Sequence, residues 1–421
     1  MFRNLENLPA QFPQPTPRPK GAPTPLKNIR VLEFGHFIAG PYAAMMLADF
    51  GADVIKIEPP KTGDIFRHFA PVDERVPGRG GPYFSANRNK QSIVVDLKTD
   101  AGREIVLDLV AKSDVLIENY STGVLSKLGL GYEDCRARNP RIIYCSVSAY
   151  GREGPFAHRA GYDPIVQAEC GLIDMTGFPD REGVRPAASV VDMATALYAS
   201  NAIMAALLAR EHTGQGQYCE TALFDCGVAI TGYLPMKQLF SGEDPRRTGN
   251  RNPDSAPSSV FKCRDAWFYL STGSNPIFLR MCEALGMPQL AEDPRFGSSA
   301  SRVQNADAIN EIVQERLETE TWAYWSEKFN ACGVPVGKVR TLGEALQSPE
   351  ARHREITTVI PDAEAGWIPN LALPTKLSST PIVDPRPAPS LGQHNQDILN
   401  KVLGYDEDRI DRLRSSGAFG S

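Results

Sequence analysis

The chain has no CxxC pair among its eight cysteines and no HExxH pattern among its six histidines. A zinc site needs thiolates or imidazoles at such spacings, so no metal cofactor is expected. The cysteines, at 135, 145, 170, 219, 226, 263, 282 and 332, read instead as reduced, mostly buried thiols suited to the cytoplasm. No apolar run approaches the roughly 20 residues that span a bilayer. Residues 1–25 lack both the apolar core of a secretory signal and the Arg-rich pattern of a transit peptide. No membrane partner is expected. The net charge of −5 gives a nucleic-acid partner no electrostatic support. GxxxxGK[ST] is missing, which excludes a Walker A loop and gives no ground for ATP use. GxSxG and GxGxxG are missing too, so a serine-hydrolase elbow is excluded and NAD is a weak reading.

What is there points to two folded domains. The chain is 421 residues long, with 42% apolar and 23% charged residues, ordinary for a globular protein and too long for one core. A Pro-rich stretch, 1–26, reads as an extended arm placed against a partner subunit. Residues 28–34 read as a strand and 42–50 as a helix closed by Gly51; 53–58 is the next strand. This βαβ unit implies a parallel sheet. Strands at 92–97, 114–118, 141–148 and 218–222 continue it, with an amphipathic helix at 99–112. Past about residue 226 the pattern shifts to short strands (259–262, 267–271) alternating with helices (276–285, 306–318, 321–331), a smaller α+β region. The tail carries helices at 395–403 and 407–415.

Asp192 stands at the end of an apolar run, ahead of a helical segment that reaches about to Glu211. Two roles compete. Asp is a preferred N-cap. A carboxylate kept ionised by a helix dipole can also attack an activated acyl carbon. Other stretches offer chemistry as well. Residues 35–40 follow a strand and open a helix, the topology of a phosphate cradle. Glu58 ends the next strand, where a dinucleotide fold places its ribose-binding acid. Asn87-Arg88-Asn89-Lys90 is either a solvated turn or an anion clamp, with Arg88 suited to a carboxylate and Lys90 to a phosphate. Gly161-Tyr162-Asp163 is either a plain turn or a loop that positions a thioester.

Taken in order, these stretches resemble the class III CoA-transferases, the group of formyl-CoA transferase and carnitine-CoA transferase that also holds the 2-methylacyl-CoA racemases. The resemblance runs through Val31-Leu32-Glu33-Phe34, Ala39-Gly40-Pro41, the 47–58 stretch, Asn87-Arg88-Asn89-Lys90 and the 114–120 stretch. It continues through Ser148-Ala149-Tyr150-Gly151, Gly161-Tyr162-Asp163, Asp192, Thr213-Gly214-Gln215-Gly216-Gln217 and Leu391-Gly392-Gln393-His394. It implies an α/β fold: a Rossmann-like large domain built from both chain ends (27–225 and 345–421), a smaller α+β domain (226–344) between them, and an interlocked-ring homodimer. It also implies that coenzyme A enters as acyl-CoA substrate and that Asp192 is the nucleophile, passing through an aspartyl anhydride and an aspartyl-CoA thioester. Ile38 and Ala39 would meet CoA at the first βα loop, Val95 and Asn119 would lie along its path, and Lys127 would face its phosphates. Tyr162 and Asp163 would line the thioester site.

Two departures from the family pattern matter. Pro59 stands where formyl-CoA transferase has a basic residue, and residues 250–258 replace its glycine-rich active-site loop, which argues against formyl-CoA/oxalate chemistry. Charge placement suggests that Arg88 and the Arg67-His68 pair hold a second carboxylate, hence succinyl-CoA as donor and a dicarboxylic acid as acceptor. The alternative activity, 2-methylacyl-CoA racemase, would need a base where Tyr162 stands, and tyrosine is a poor base near neutrality.

Overall fold

The computed structural model describes residues 5–420. Six strands form one fully parallel sheet in the order β3-β2-β1-β4-β5-β6. They are β1 (Arg30–Phe34), β2 (Asp53–Glu58), β3 (Gln91–Val94), β4 (Val115–Glu118), β5 (Ile143–Ser148) and β6 (Tyr218–Ala222). Helices cover parallel strands on both faces, so such strands read as near-continuous apolar runs; Val115-Leu116-Ile117 of β4 is fully buried. The order reverses between β1 and β4, which opens a crevice at the carboxyl ends of those strands.

The helices sit where caps and patterns put them. Asp100–Val110 starts at Thr99, whose hydroxyl accepts the Gly102 N–H, and buries Ile105, Val106, Leu109 and Val110. The expected helix after β1 begins three residues earlier than its pattern suggested, at Ala39. The longest helix, Val190–Thr213, ends at Gly214 in the left-handed region, a conformation glycine adopts without steric cost. It is long and apolar enough by composition to cross a membrane. In the fold it packs on the sheet, and Arg210 near its end pairs with Asp114.

Two compact units are present. Of the described residues, the first holds 5–170, 187–235 and 346–420; the second holds 171–186 and 236–345. The second unit contains an antiparallel sheet of β7 (Ser258–Lys262), β8 (Trp267–Ser271) and β9 (Val336–Lys338). Its core gathers Phe268, Phe278, Trp325 and Phe329, and the Trp325 indole N–H donates to the Leu317 carbonyl at 2.8 Å. In the first unit, a hairpin absent from the sequence reading pairs β10 (Thr357–Asp362) with β11 (Gly366–Leu371). The Pro-rich arm packs on this hairpin. Leu8 and Phe12 are buried against Val359 and Trp367, and Val359 N–H donates to the Pro13 carbonyl.

Candidate active site

A cavity of ≈ 640 Å³ lies at the reversal point of the sheet. Its walls come from the loops after β1 (His36, Phe37, Ile38, Ala39), β4 (Asn119 to Thr122) and β5 (Ser148, Ala149, Arg152), and from Tyr162, Asp163 and Asp192. Such crevices are where open α/β sheets bind ligands.

Asp192 is the third residue of the Val190–Thr213 helix, not its cap. The capping is done from outside. Asp163, fully buried, accepts the backbone N–H of Val191 at 2.9 Å and of Asp192 at 3.1 Å through Oδ2. Its Oδ1 accepts from the Gln167 amide. The two acids therefore divide the labour. Asp163 satisfies the orphan amides of the helix start. Asp192 is left half-buried in the cavity wall, and among the described residues no group donates a hydrogen bond to its carboxylate. Burial pushes the Asp192 carboxyl up to about 7, and the neighbouring Asp163 charge adds to the rise. The helix dipole was expected to favour the ionised form; desolvation and a like charge outweigh it here. Asp163→Asn should keep a helix acceptor and remove that charge. The acid limb of the rate should then move to lower pH, at a stability cost of about 1 kcal/mol, read from a pH–rate profile and a denaturation curve.

The loop after β1 is held from below and from the side. Asn119 clamps His36, its Oδ1 accepting the His36 N–H at 3.0 Å and its Nδ2 donating to the His36 carbonyl at 2.9 Å. Phe37 sits at φ 64, the left-handed region, strained for a residue with a Cβ. Asp64 accepts the Phe37 N–H at 3.3 Å and helps hold it there. Beneath lies a buried ionic cluster: Lys56 Nζ reaches Glu33 at 2.9 Å, Asp64 at 2.9 Å and the Gly35 carbonyl at 2.8 Å. A Cβ at Gly35 would stand 2.3 Å from Glu33 Oε1, so only glycine fits over this cluster. Tyr162 packs edge-on against Phe37, ring centroids 5.6 Å apart, at the rim.

Ile38, Ala39, Asn119, Tyr162, Asp163 and Asp192, widely spaced in sequence, thus meet around one cavity. Other expected positions do not join them. Val95 is buried in the hydrophobic core beside Ile57 and Ile93, so its side chain has no face to offer a cofactor. Lys127 is exposed at the end of the short Val124–Lys127 helix and does not line the cavity.

The substrate clamp expected from Arg88, Arg67 and His68 is corrected. Arg88 is buried on Asp49, with Nε 3.1 Å from each carboxylate oxygen and Nη1 donating to the Leu371 carbonyl. Arg67 is buried on Glu58, Tyr83 and the Pro389 carbonyl. The His68 ring bonds the Thr62 carbonyl at 2.8 Å. None lines the cavity. Lys90, read as a phosphate ligand, is buried on Glu33, Asn87 and the Pro41 carbonyl. Arg88→Ala should therefore cost about 3–5 kcal/mol of stability by stranding Asp49, while the KM for a carboxylic acid stays within about twofold; denaturation and steady-state kinetics read the two separately.

Glu58 is not free for a ribose either. It accepts from Arg67, from the Ser92 hydroxyl and from the Asp64 N–H. Burial would raise its carboxyl, but the bonds from Arg67 outweigh that and hold it below the usual range. Among the described residues no three His, Cys, Asp or Glu side chains cluster as metal ligands. Two wall residues escaped the sequence reading. His36 was passed over as loop, and Arg152 is tied by Glu118, Ser146 and the Tyr120 carbonyl. Neither lies in a spacing that marks a site.

Known proteins resemble this chain in sequence and in fold. Residues 26–395 match the profile of CoA-transferase family III. Mouse succinyl-CoA:glutarate CoA-transferase is 37% identical over 395 residues, 94% of this chain and 90% of the mouse protein. Succinyl-CoA–D-citramalate CoA-transferase of Chloroflexus aurantiacus is 35% identical over 394 residues, 93% of this chain and 98% of that protein. The crystal structure of a CAIB/BAIF family protein from Brucella suis superposes with TM-score 0.81 at 36% identity, covering 90% of this chain and 100% of the other. Matched over nearly its full length in sequence and in fold, the chain belongs to CoA-transferase family III.

Proposed function

We propose that this chain transfers CoA from succinyl-CoA to a dicarboxylic acid, with Asp192 as the nucleophile. One observation carries the role of Asp192: its carboxylate faces the cavity without a hydrogen-bond donor, at the start of a helix whose own amides are satisfied by Asp163. The mouse and Chloroflexus relatives are named for succinyl-CoA and for glutarate or D-citramalate, both dicarboxylic acids.

In this scheme the Asp192 carboxylate attacks the thioester carbonyl, forming a mixed anhydride and releasing CoA thiolate. The thiolate attacks the aspartyl carbonyl, giving an Asp192–CoA thioester and the donor acid. The acceptor carboxylate attacks that thioester in turn. A second anhydride forms, and CoA thiolate takes the acceptor acyl group, restoring Asp192. Each bond broken is as activated as the one formed, so the cycle needs neither ATP nor a metal. It needs water kept out, and a carboxylate among apolar walls (Phe37, Ile38, Ala39, Leu223) suits that demand. Ile38, Ala39, Asn119 and Tyr162 are assigned to the CoA arm. Because Asp192 rises to about 7, kcat/KM in the free enzyme should fall as pH drops below neutrality, since the attacking form is the anion.

The interlocked homodimer and a domain completed by both chain ends belong to the same proposal. Leu197 and Leu208, on the Asp192 helix, are 52% and 65% exposed, apolar surface that a second protomer would cover. A cytoplasmic location is proposed with it, in keeping with eight free cysteines. The activity is tested by mass-spectrometric exchange: succinyl-CoA with a pool of mono- and dicarboxylic acids, without ATP. A new dicarboxylyl-CoA supports the proposal. No exchange, with solvent deuterium entering the α-carbon of a 2-methylacyl-CoA instead, would replace it with the racemase.

A further inference from the structure

A dicarboxylic substrate leaves one carboxylate that does not react, and the cavity must recognise it. The wall residues able to carry positive charge are His36, Arg152, His158 and Arg159. Arg152 is saturated: Nε donates to Ser146, Nη1 to the Tyr120 carbonyl and Thr122, and Nη2 to Glu118 and the Val147 carbonyl. Arg159 is paired with Glu169 at the surface. His158 sits exposed on the turn after β5, with nothing to fix its ring.

His36 is built in. Asn119 holds its backbone at both the N–H and the carbonyl. Its ring packs 5.2 Å from Tyr120. Nδ1 is buried, finds no hydrogen-bond partner among the described residues and lies 3.8 Å from Asp64 Oδ1. About a quarter of the side chain (27%) remains exposed, and that part cannot be the Nδ1 edge; the opposite edge carries Nε2. The charges behind the ring are already balanced. Glu33, Glu58 and Asp64 pair with Lys56, Lys90 and Arg67, three acids against three bases. The cations behind the ring are therefore committed to those acids, and the outward edge of the His36 ring faces the cavity.

We infer that the His36 imidazole, donating from Nε2, holds the free carboxylate of the dicarboxylic acyl group, in the donor acyl-CoA and in the acceptor acid alike. This rests on the proposed transfer reaction. The group makes no bond to the reacting carbonyl; it fixes the far end of the substrate and so sets the preference for diacids over monoacids.

Two experiments test it. In His36→Gln, kcat/KM with glutarate should fall about tenfold more than with butyrate, the loss of one charge-assisted hydrogen bond, and the fall should appear mainly in KM. In the wild type, acylation of His36 by diethyl pyrocarbonate, followed by peptide mass spectrometry, should be slowed by glutarate and not by butyrate. That footprint stands even if the variant fails to fold. An unchanged diacid preference in the variant, or equal protection by both acids, would overturn the inference. Failure of the transfer proposal itself would look different: the wild type would form no new acyl-CoA with any acid.

Discussion

Asp192→Asn is expected to abolish CoA transfer, lowering kcat by at least about 10⁴-fold, the scale seen when a covalent nucleophile is removed. The same change is expected to stabilise the protein above neutral pH. In the native state Asp192 keeps its proton up to about 7, against 3.8 for its ordinary value. Between those limits the unfolded chain has released a proton that the native chain retains, so wild-type stability falls as pH rises. The amide removes that fall. The variant should gain up to about 4 kcal/mol over the wild type between pH 4 and pH 8, and the gain should vanish at and below pH 4. Denaturant curves at the two pH values measure it. A variant that is inactive and no more stable at pH 8 would mean that Asp192 is not held out of water as the fold implies.

Lys56→Met carries the second large effect. Lys56 is fully buried, and its Nζ serves Glu33, Asp64 and the Gly35 carbonyl together. Burial alone would lower its pKa, but Asp64 and Glu33 overcome this and hold the ammonium well above its ordinary range. Its stabilisation is therefore complete below pH 10.5 and does not vary across neutrality. Asp64 is shifted the other way. Burial opposes the shift, but Lys56 outweighs it and holds the carboxyl below its usual range; its contribution is present above about pH 4 and is lost in acid. Removing the ammonium strands Asp64 and leaves Glu33 to Lys90 alone, and should cost about 3–5 kcal/mol. It should also free the loop that carries His36 and Phe37, raising KM for acyl-CoA by about tenfold. Thermal unfolding and steady-state kinetics would show both. A loss of stability without a change in KM would separate the ionic cluster from the site.

The parallel sheet was legible because buried strands carry their own signal: the runs ending at Phe34, Glu58, Glu118 and Ser148 all became neighbouring strands. The long helix that starts beside Asp192 was equally visible, although Asp192 lies in its first turn and not ahead of it. That the Asp192 carboxylate is left without a capping duty was not, because that depends on Asp163, 29 residues earlier, accepting the helix-start amides. The cations misled for the same reason. Arg88, Lys90 and Arg67 look like an anion clamp in sequence, and their partners Asp49, Glu33 and Glu58 look like ordinary strand and helix-end acids. Pattern alone does not say which charges pair inside the core. His36 was missed from the opposite side: a single histidine in a loop carries no periodicity, and its constraint comes from Asn119, Tyr120 and Asp64. The β10–β11 hairpin was missed because Pro361 and Pro369 interrupt both strands, and prolines normally argue against a ladder.

Oxygen transfer to Asp192 tests the central claim most directly. When an acceptor acid labelled with oxygen-18 in its carboxylates is turned over with succinyl-CoA, the second anhydride leaves one labelled oxygen on the aspartate each cycle. Digestion and mass spectrometry of the peptide containing Asp192 should show heavy oxygen in that carboxylate and in no other. Formation of the new acyl-CoA with an unlabelled Asp192 would contradict the account, because CoA would then be moving without passing through this residue.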